Sequence, residues 1–263
     1  MLEGFVGFPP EFATRYREKG YWEDKSLRDQ FSENIFEPFA DRVAVIDGDV
    51  SVTYYELDVI SDKLALNLWD LGLRPLDRVV MLPNVIEFAY LYFALQKLGA
   101  IPICALATHR YHELSQFTEI AQAKMCIAPD RQRDFEFAPM IARVQAENPC
   151  LTHGIVLGDA PAGFLSFADL LARRPKTAPS VLDTIEIDPT DPAVFQLSGG
   201  TTGVPKLIPR THNDYWLNSN LAIQCTEVHA DSCLLLVLPI GHNLPLACPG
   251  MQGLMIKGGR VVL

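Results

Sequence analysis

The chain has 263 residues, of which 49% are hydrophobic and 21% charged, with a formal net charge of -10. This composition excludes a disordered polypeptide, and so acidic a surface repels nucleic-acid phosphates and anionic lipid, so no nucleic acid and no membrane is expected as a partner. The six cysteines form no C-x-x-C pair and no Cys/His cluster at zinc spacing, the N-terminus MLEGFVGFPPEF lacks the basic and apolar regions of a secretory signal, and Pro83, Asn84 and Glu87 interrupt the most apolar stretch, so the expected location is cytoplasmic.

Residues 1–26 alternate aromatic and charged side chains and read as an irregular segment wrapped on a surface. Helical spacing over Leu27–Phe36 predicts a first helix ended near Pro38. Val43–Ile46 and Val50–Tyr54 read as strands joined by the turn Asp47-Gly48-Asp49, and Tyr55–Leu71 as a helix stopped by Gly72. A strand-then-helix rhythm follows. Strands are expected at Arg78–Leu82, Ile101–Ala105, Lys124–Ala128 and His153–Leu157, with helices at Val85–Leu98, His112–Gln122 and Phe137–Glu147. The alternation predicts an α/β fold, a mainly parallel sheet covered by helices on both faces. Residues 158–192, with a short helix at Phe167–Arg173, read as the connection between sub-lobes of about 1–180 and 181–263. Beyond it come a strand at Ala193–Leu197, a glycine-rich loop, a helix at Asn213–Cys225, a strand at Ser232–Pro239, a helix from about Pro245 and a last strand at Gly259–Leu263.

The loop is Ser198-Gly199-Gly200-Thr201-Thr202-Gly203-Val204-Pro205-Lys206. Glycines let backbone N–H groups approach an anion, the three hydroxyls are donors for phosphate oxygens, and Lys206 supplies positive charge. Together they form a candidate triphosphate cradle. The loop lacks the adjacent Gly-Lys-Ser/Thr of the nucleotide-hydrolase loop and does not follow G-x-G-x-x-G, and the plain alternative is a solvated turn.

These residues resemble the signature of the adenylate-forming superfamily, which includes acyl-CoA synthetases, luciferases and adenylation domains. Val52-Thr53-Tyr54-Tyr55-Glu56-Leu57 and Lys97-Leu98-Gly99-Ala100-Ile101-Pro102 resemble two further motifs of that family, in the same order, although the proline of the second arrives early. The similarity runs from about residue 12 to the end. It implies the helix-covered, mainly parallel sheets of the superfamily's large N-terminal AMP-binding domain.

Where amino-acid-activating members of the superfamily carry an aromatic residue and Asp, this chain has His242-Asn243. A neutral amide cannot compensate a buried ammonium, but it can bond a phenolic hydroxyl and a carboxylate oxygen, which favours a ring with an ortho hydroxyl over an amino acid. The block Phe195–Tyr215 and the N-terminal Phe8–Trp22 are similar to the stand-alone aryl-acid–AMP ligases of siderophore biosynthesis, which adenylate 2,3-dihydroxybenzoate or salicylate. The resemblance implies ATP with Mg2+, phosphate binding by Ser198, Gly199, Gly200, Thr201, Thr202, Gly203 and Lys206, and a catalytic role for Lys206. It places His242 under the adenylate and aryl group, Asn243 at the carboxylate and 2-hydroxyl, and Leu244 at a ring wall that is aromatic in many relatives. Cys248 stands where salicylate ligases tend to have cysteine and dihydroxybenzoate ligases serine, so the reading leans to salicylate without excluding the other acid. The implied acceptor is the phosphopantetheine thiol of an aryl carrier protein.

His212 reads as a capping or structural residue, and His109, His112, His153 and His229 as surface or loop residues. Relatives are about twice as long. Their acidic adenine- and magnesium-binding motif, ribose-binding aspartate and mobile C-terminal domain with its lysine have no counterpart in residues 1–263, so little complete turnover is expected from these residues alone. Two other readings stay open: an acyl- or aryl-CoA synthetase, and a non-catalytic ligand-binding remnant.

Overall fold

In this computed structural model, which describes residues 2, 4–198 and 206–263, the apolar runs form the interior of a seven-stranded sheet. Its order is Leu207–Thr211, Pro192–Leu197, Ile101–Cys104, Arg78–Met81, Met125–Pro129, His153–Leu157 and Leu165–Ser166. All neighbours run parallel except the first pair. The pleat sends alternate residues to opposite faces. Val79, Met81, Met125 and Ile127 join one core with the helices Tyr54–Asp70 and Ile86–Leu98, while Val80, Cys126 and Ala128 join another with Tyr111–Ala121 and Phe137–Glu147. The sheet is covered on both faces, as expected of parallel strands.

A second sheet has the order Cys233–Leu235, Arg260–Val262, Val43–Asp47 and Val50–Thr53, and only its last pair is antiparallel. Both sheets draw strands from either side of residue 180.

Two of the sequence motifs have a structural explanation. Thr53 Oγ1 accepts from Glu56 N–H at 3.1 Å, and the Glu56 carboxylate accepts from Thr53 N–H at 2.8 Å. The motif Val52–Leu57 is therefore a capping box that starts the helix Tyr54–Asp70. In the second motif Lys97 lies in the last turn of Ile86–Leu98. Its Nζ donates to the Asp58 carbonyl at 2.8 Å and reaches the carboxylates of Asp58 and Asp62 on the neighbouring helix. Gly99 ends the helix at φ +64°, with Ile187 packed against it.

Several expectations are corrected. Residues 10–18 are not irregular: they form a helix with Pro10 in its first turn, none of whose residues is buried, beside a cluster of Phe8, Tyr16 and Trp22 rings. The helix from Leu27 does end near Pro38, at Phe39, but it is not regular throughout: a π-turn at Ser32–Phe36 joins Leu27–Phe31 to Glu37–Phe39. Leu207–Thr211 is an unforeseen strand. Its Pro209 cannot donate to a ladder, but the strand lies at the sheet edge, where that is tolerated. The strand expected over Ser232–Pro239 stops at Leu235, since its only partner among the described residues spans Arg260–Val262. The helix from Pro245 is two helices, Asn243–Ala247 and Gly250–Ile256, separated at the cis Cys248–Pro249 bond.

Candidate active site

Parallel strands end together, and the residues just past their carboxyl ends form the rim where α/β proteins bind ligands. Here Phe195 pairs with Ile103, so Ser198 follows one strand near the level of Ala105 on its neighbour. Ser198 and Lys206 are drawn together. Ser198 N–H donates to Lys206 O at 2.9 Å, and Lys206 N–H donates to Ser198 Oγ at 2.8 Å. The lysine side chain is left exposed. The candidate phosphate residues Gly199, Gly200, Thr201, Thr202 and Gly203 lie outside the described residues.

The candidate acid-binding segment comes to the same rim. A Cβ on Gly241 would lie 3.1 Å from the carbonyl oxygen of Ala105 and 3.4 Å from that of Cys104, so only glycine allows this approach without displacement. Ile240 N–H donates to Asn84 Oδ1 at 2.8 Å, which ties the segment to the loop after the next strand. His242 then starts the short helix Asn243–Ala247, its ring exposed and its carbonyl accepting from Leu246 N–H. Behind that helix, Ala247 O accepts from Ser219 Oγ at 2.8 Å and from Asn218 Nδ2 at 3.0 Å.

Asn243 is half-buried, and its Oδ1 is shielded from solvent without a hydrogen-bond partner among the described residues. A buried amide oxygen left unpaired costs about 1–3 kcal/mol, which a ligand donor would offset. Cys248 is half-buried and close enough to Arg210 and Tyr215 to act electrostatically on both. Those two residues belong to the strand and helix that follow Lys206, so Cys248 lies in the neighbourhood of those elements. Leu244 is 57% exposed and lines an apolar cavity of about 200 Å³ with Leu234–Leu238, Pro245, Pro249 and Gly250.

His212 is fully buried, and its Nδ1 accepts from Leu27 N–H at 3.1 Å. Burial pushes its pKa down to about 3, so it is a neutral structural acceptor. His109 lies on a loop, as expected, and that loop begins at Ala105, against which Gly241 packs. Its position just past the carboxyl end of a buried parallel strand was the available signal.

A family profile described as AMP-binding enzyme matches residues 32–263. The chain belongs to that family. Among curated AMP-binding relatives it is 43% identical over 266 residues to a salicylyl-CoA synthase / salicylate adenylyltransferase of a Streptomyces species, covering 99% of this chain and 48% of the relative. It is 39% identical to the 2,3-dihydroxybenzoate-AMP ligase of Bacillus subtilis, over 100% of this chain and 47% of the relative. The apo structure of MbtA from Mycobacterium smegmatis superposes with a TM-score of 0.88 at 41% identity, covering 98% of this chain and 47% of that one. The chain thus spans about half the length of the curated relatives it matches. Both the α/β fold and the resemblance to aryl-acid–AMP ligases are borne out. Among the described residues no helix is long and apolar enough to cross a membrane.

Proposed function

We propose that these residues carry the phosphate-binding and acid-binding parts of an ATP-dependent aryl-acid–AMP ligase acting on a 2-hydroxybenzoate-type acid, salicylate or 2,3-dihydroxybenzoate, in siderophore biosynthesis. The observation that carries the reading is Asn243 Oδ1, a shielded acceptor without a partner on the same sheet rim as Ser198 and Lys206. A phenolic O–H supplies the missing donor. The identities to salicylate- and dihydroxybenzoate-activating relatives support the substrate class.

In this reading Ser198, Lys206 and residues 199–203 hold the phosphates of ATP, and Lys206 offsets charge on the transferring group. His242 and Asn243 orient the ring so that a carboxylate oxygen attacks the α-phosphorus. The new bond is C–O–P, and the bond to pyrophosphate breaks. The thiol of a carrier-protein phosphopantetheine then displaces AMP from the acyl carbon. Mg2+ neutralises phosphate charge in this chemistry. Among the described residues no group of three His, Cys, Asp or Glu side chains could hold a metal, so none is assigned to it. A second reading, transfer to coenzyme A, is favoured by the name of the Streptomyces relative. Supplying either acceptor to the aryl-adenylate and following thioester formation separates the two.

Calorimetry with salicylate, 2,3-dihydroxybenzoate and benzoate, each with ATP, tests the substrate class. The two ortho-hydroxylated acids should bind at least about fivefold more tightly than benzoate, the worth of one buried hydrogen bond. Equal binding of all three removes the case for an ortho-hydroxyl pocket.

A further inference from the structure

We propose that His109 is a positioning residue for the acid-binding segment, its neutral ring fixing the loop on which Gly241 and His242 rest. The proposal rests on the aryl-acid reading above.

The loop leaves the strand Ile101–Cys104 at Ala105 and enters the helix Tyr111–Ala121. Between these elements His109 closes the turn in both directions. Its N–H donates to Leu106 O at 2.9 Å, and its Nδ1 accepts from Leu106 N–H at 3.0 Å. The ring meets the buried Phe117 edge-on, with centroids 5.3 Å apart. Arg110 adds a clamp, donating from Nη1 to Ala107 O and His109 O, both at 2.9 Å. The carbonyl of Ala105 then forms the floor against which Gly241 sits. A change in this turn is therefore felt first at Gly241-His242-Asn243.

An Nδ1 that accepts a backbone N–H must be unprotonated, which leaves the neutral ring with its proton on Nε2. Protonation would set one N–H against another and release Leu106. Burial holds the His109 pKa below the ordinary histidine value. Of the charged groups facing it, Glu113 opposes that shift, while His242 from the acid-binding segment and Arg110 reinforce it. The turn is therefore intact at neutral pH and opens in acid.

The experiment compares His109→Ala and His109→Asn with wild type. The Asn amide oxygen can take the place of Nδ1 but does not titrate. Calorimetric affinity for salicylate with ATP should fall up to about tenfold in His109→Ala at pH 7.5, the worth of the lost acceptor, and return with His109→Asn. Between pH 7.5 and 5.5 wild type should lose affinity by a larger factor than His109→Asn. An Ala variant that binds like wild type, or an Asn variant with the wild-type acid loss, overturns the proposal. Should wild type bind no aryl acid, the substrate reading fails, and amide exchange still decides this one. Protection of the Leu106 and His242 amides should drop in His109→Ala and recover in His109→Asn, whereas unchanged protection in both variants refutes the role. Amide exchange elsewhere in the sheet identifies a variant that has merely failed to fold.

Discussion

Replacing Lys97 by Met removes the ammonium that joins the two central helices. The Lys97 side chain is only 9% exposed, whereas its partners Asp58 and Asp62 are 36% and 48% exposed, and the Phe36 ring centroid lies 5.2 Å from Nζ. Breaking a fully buried pair costs about 3–5 kcal/mol, and the solvent reaching the two carboxylates reduces this to roughly 1.5–3 kcal/mol. At about 2–4 °C per kcal/mol, the melting temperature should fall by several degrees.

The pH dependence separates charge from packing. Desolvation, reinforced by Asp58 and Asp183 and opposed by Lys97, raises the Asp62 pKa above its model-compound value of 3.8. Without Lys97 it must rise further. A carboxyl whose folded pKa is raised is destabilising above that pKa and ceases to be so once it is protonated in both states. The loss from Lys97→Met should therefore be largest at pH 7.5 and shrink as the pH falls towards 4. Urea unfolding of wild type and variant at pH 7.5 and 4.5 measures both losses, and adding Asp58→Asn and Asp62→Asn should recover most of the stability at pH 7.5. A loss that is equal at both pH values would show that the lysine acts by packing alone.

Gly241→Ala should weaken aryl-acid binding about tenfold while costing only about 1 kcal/mol in urea unfolding, since the added methyl pushes the segment off Ala105 without filling the core; unchanged affinity would contradict the contact. His212 is neutral in the fold and protonates in the unfolded chain below the ordinary histidine value of 6.5. Stability from this group is thus present above 6.5 and is lost as the pH falls towards 3, by about 2 kcal/mol between pH 6.5 and 5. His212→Asn, whose amide oxygen takes the place of Nδ1 and can still accept from Leu27, should flatten that slope in urea titrations, and an unchanged slope would place the sensitivity elsewhere. Cys248→Ser should raise the affinity for 2,3-dihydroxybenzoate relative to salicylate, because a hydroxyl bonds a 3-hydroxyl better than a thiol does; calorimetry showing the same ratio would remove Cys248 from the pocket.

Periodicity located the central strands and helices because these segments are long, apolar and punctuated by residues such as Gly72 and Gly99. It missed Leu207–Thr211, where Pro209 disguises a strand that only its edge position permits. It overextended the strand after Ser232, because the length of a strand depends on its partner, here Arg260–Val262. The helix Pro10–Glu18 has no fully buried residue, and only Ala13 and Tyr16 turn towards the protein, too short an apolar stripe to read. In the candidate site, Ser198, Lys206 and the His242-Asn243 pair could be named from chemistry. Asn84 and Gly241 could not, since each meets backbone atoms of a segment remote in sequence.

The motifs differ in what they can say about function. Thr53 with Glu56 starts one helix, and Lys97 holds the next helix against it. Both act through hydrogen bonds and charge inside the scaffold, so any substrate class on this scaffold would benefit equally. They identify the fold. Selectivity has to come from groups that are unsatisfied without a ligand, and at the rim that description fits the shielded Asn243 oxygen. An aspartate there would add a charge close to the incoming carboxylate and favour an ammonium. An amide leaves the site neutral and asks only for a donor, which an ortho-hydroxylated acid brings and benzoate lacks. In the proposed reading, selection therefore comes from the difference between an amide and a carboxylate at residue 243, within a frame that many acids could share.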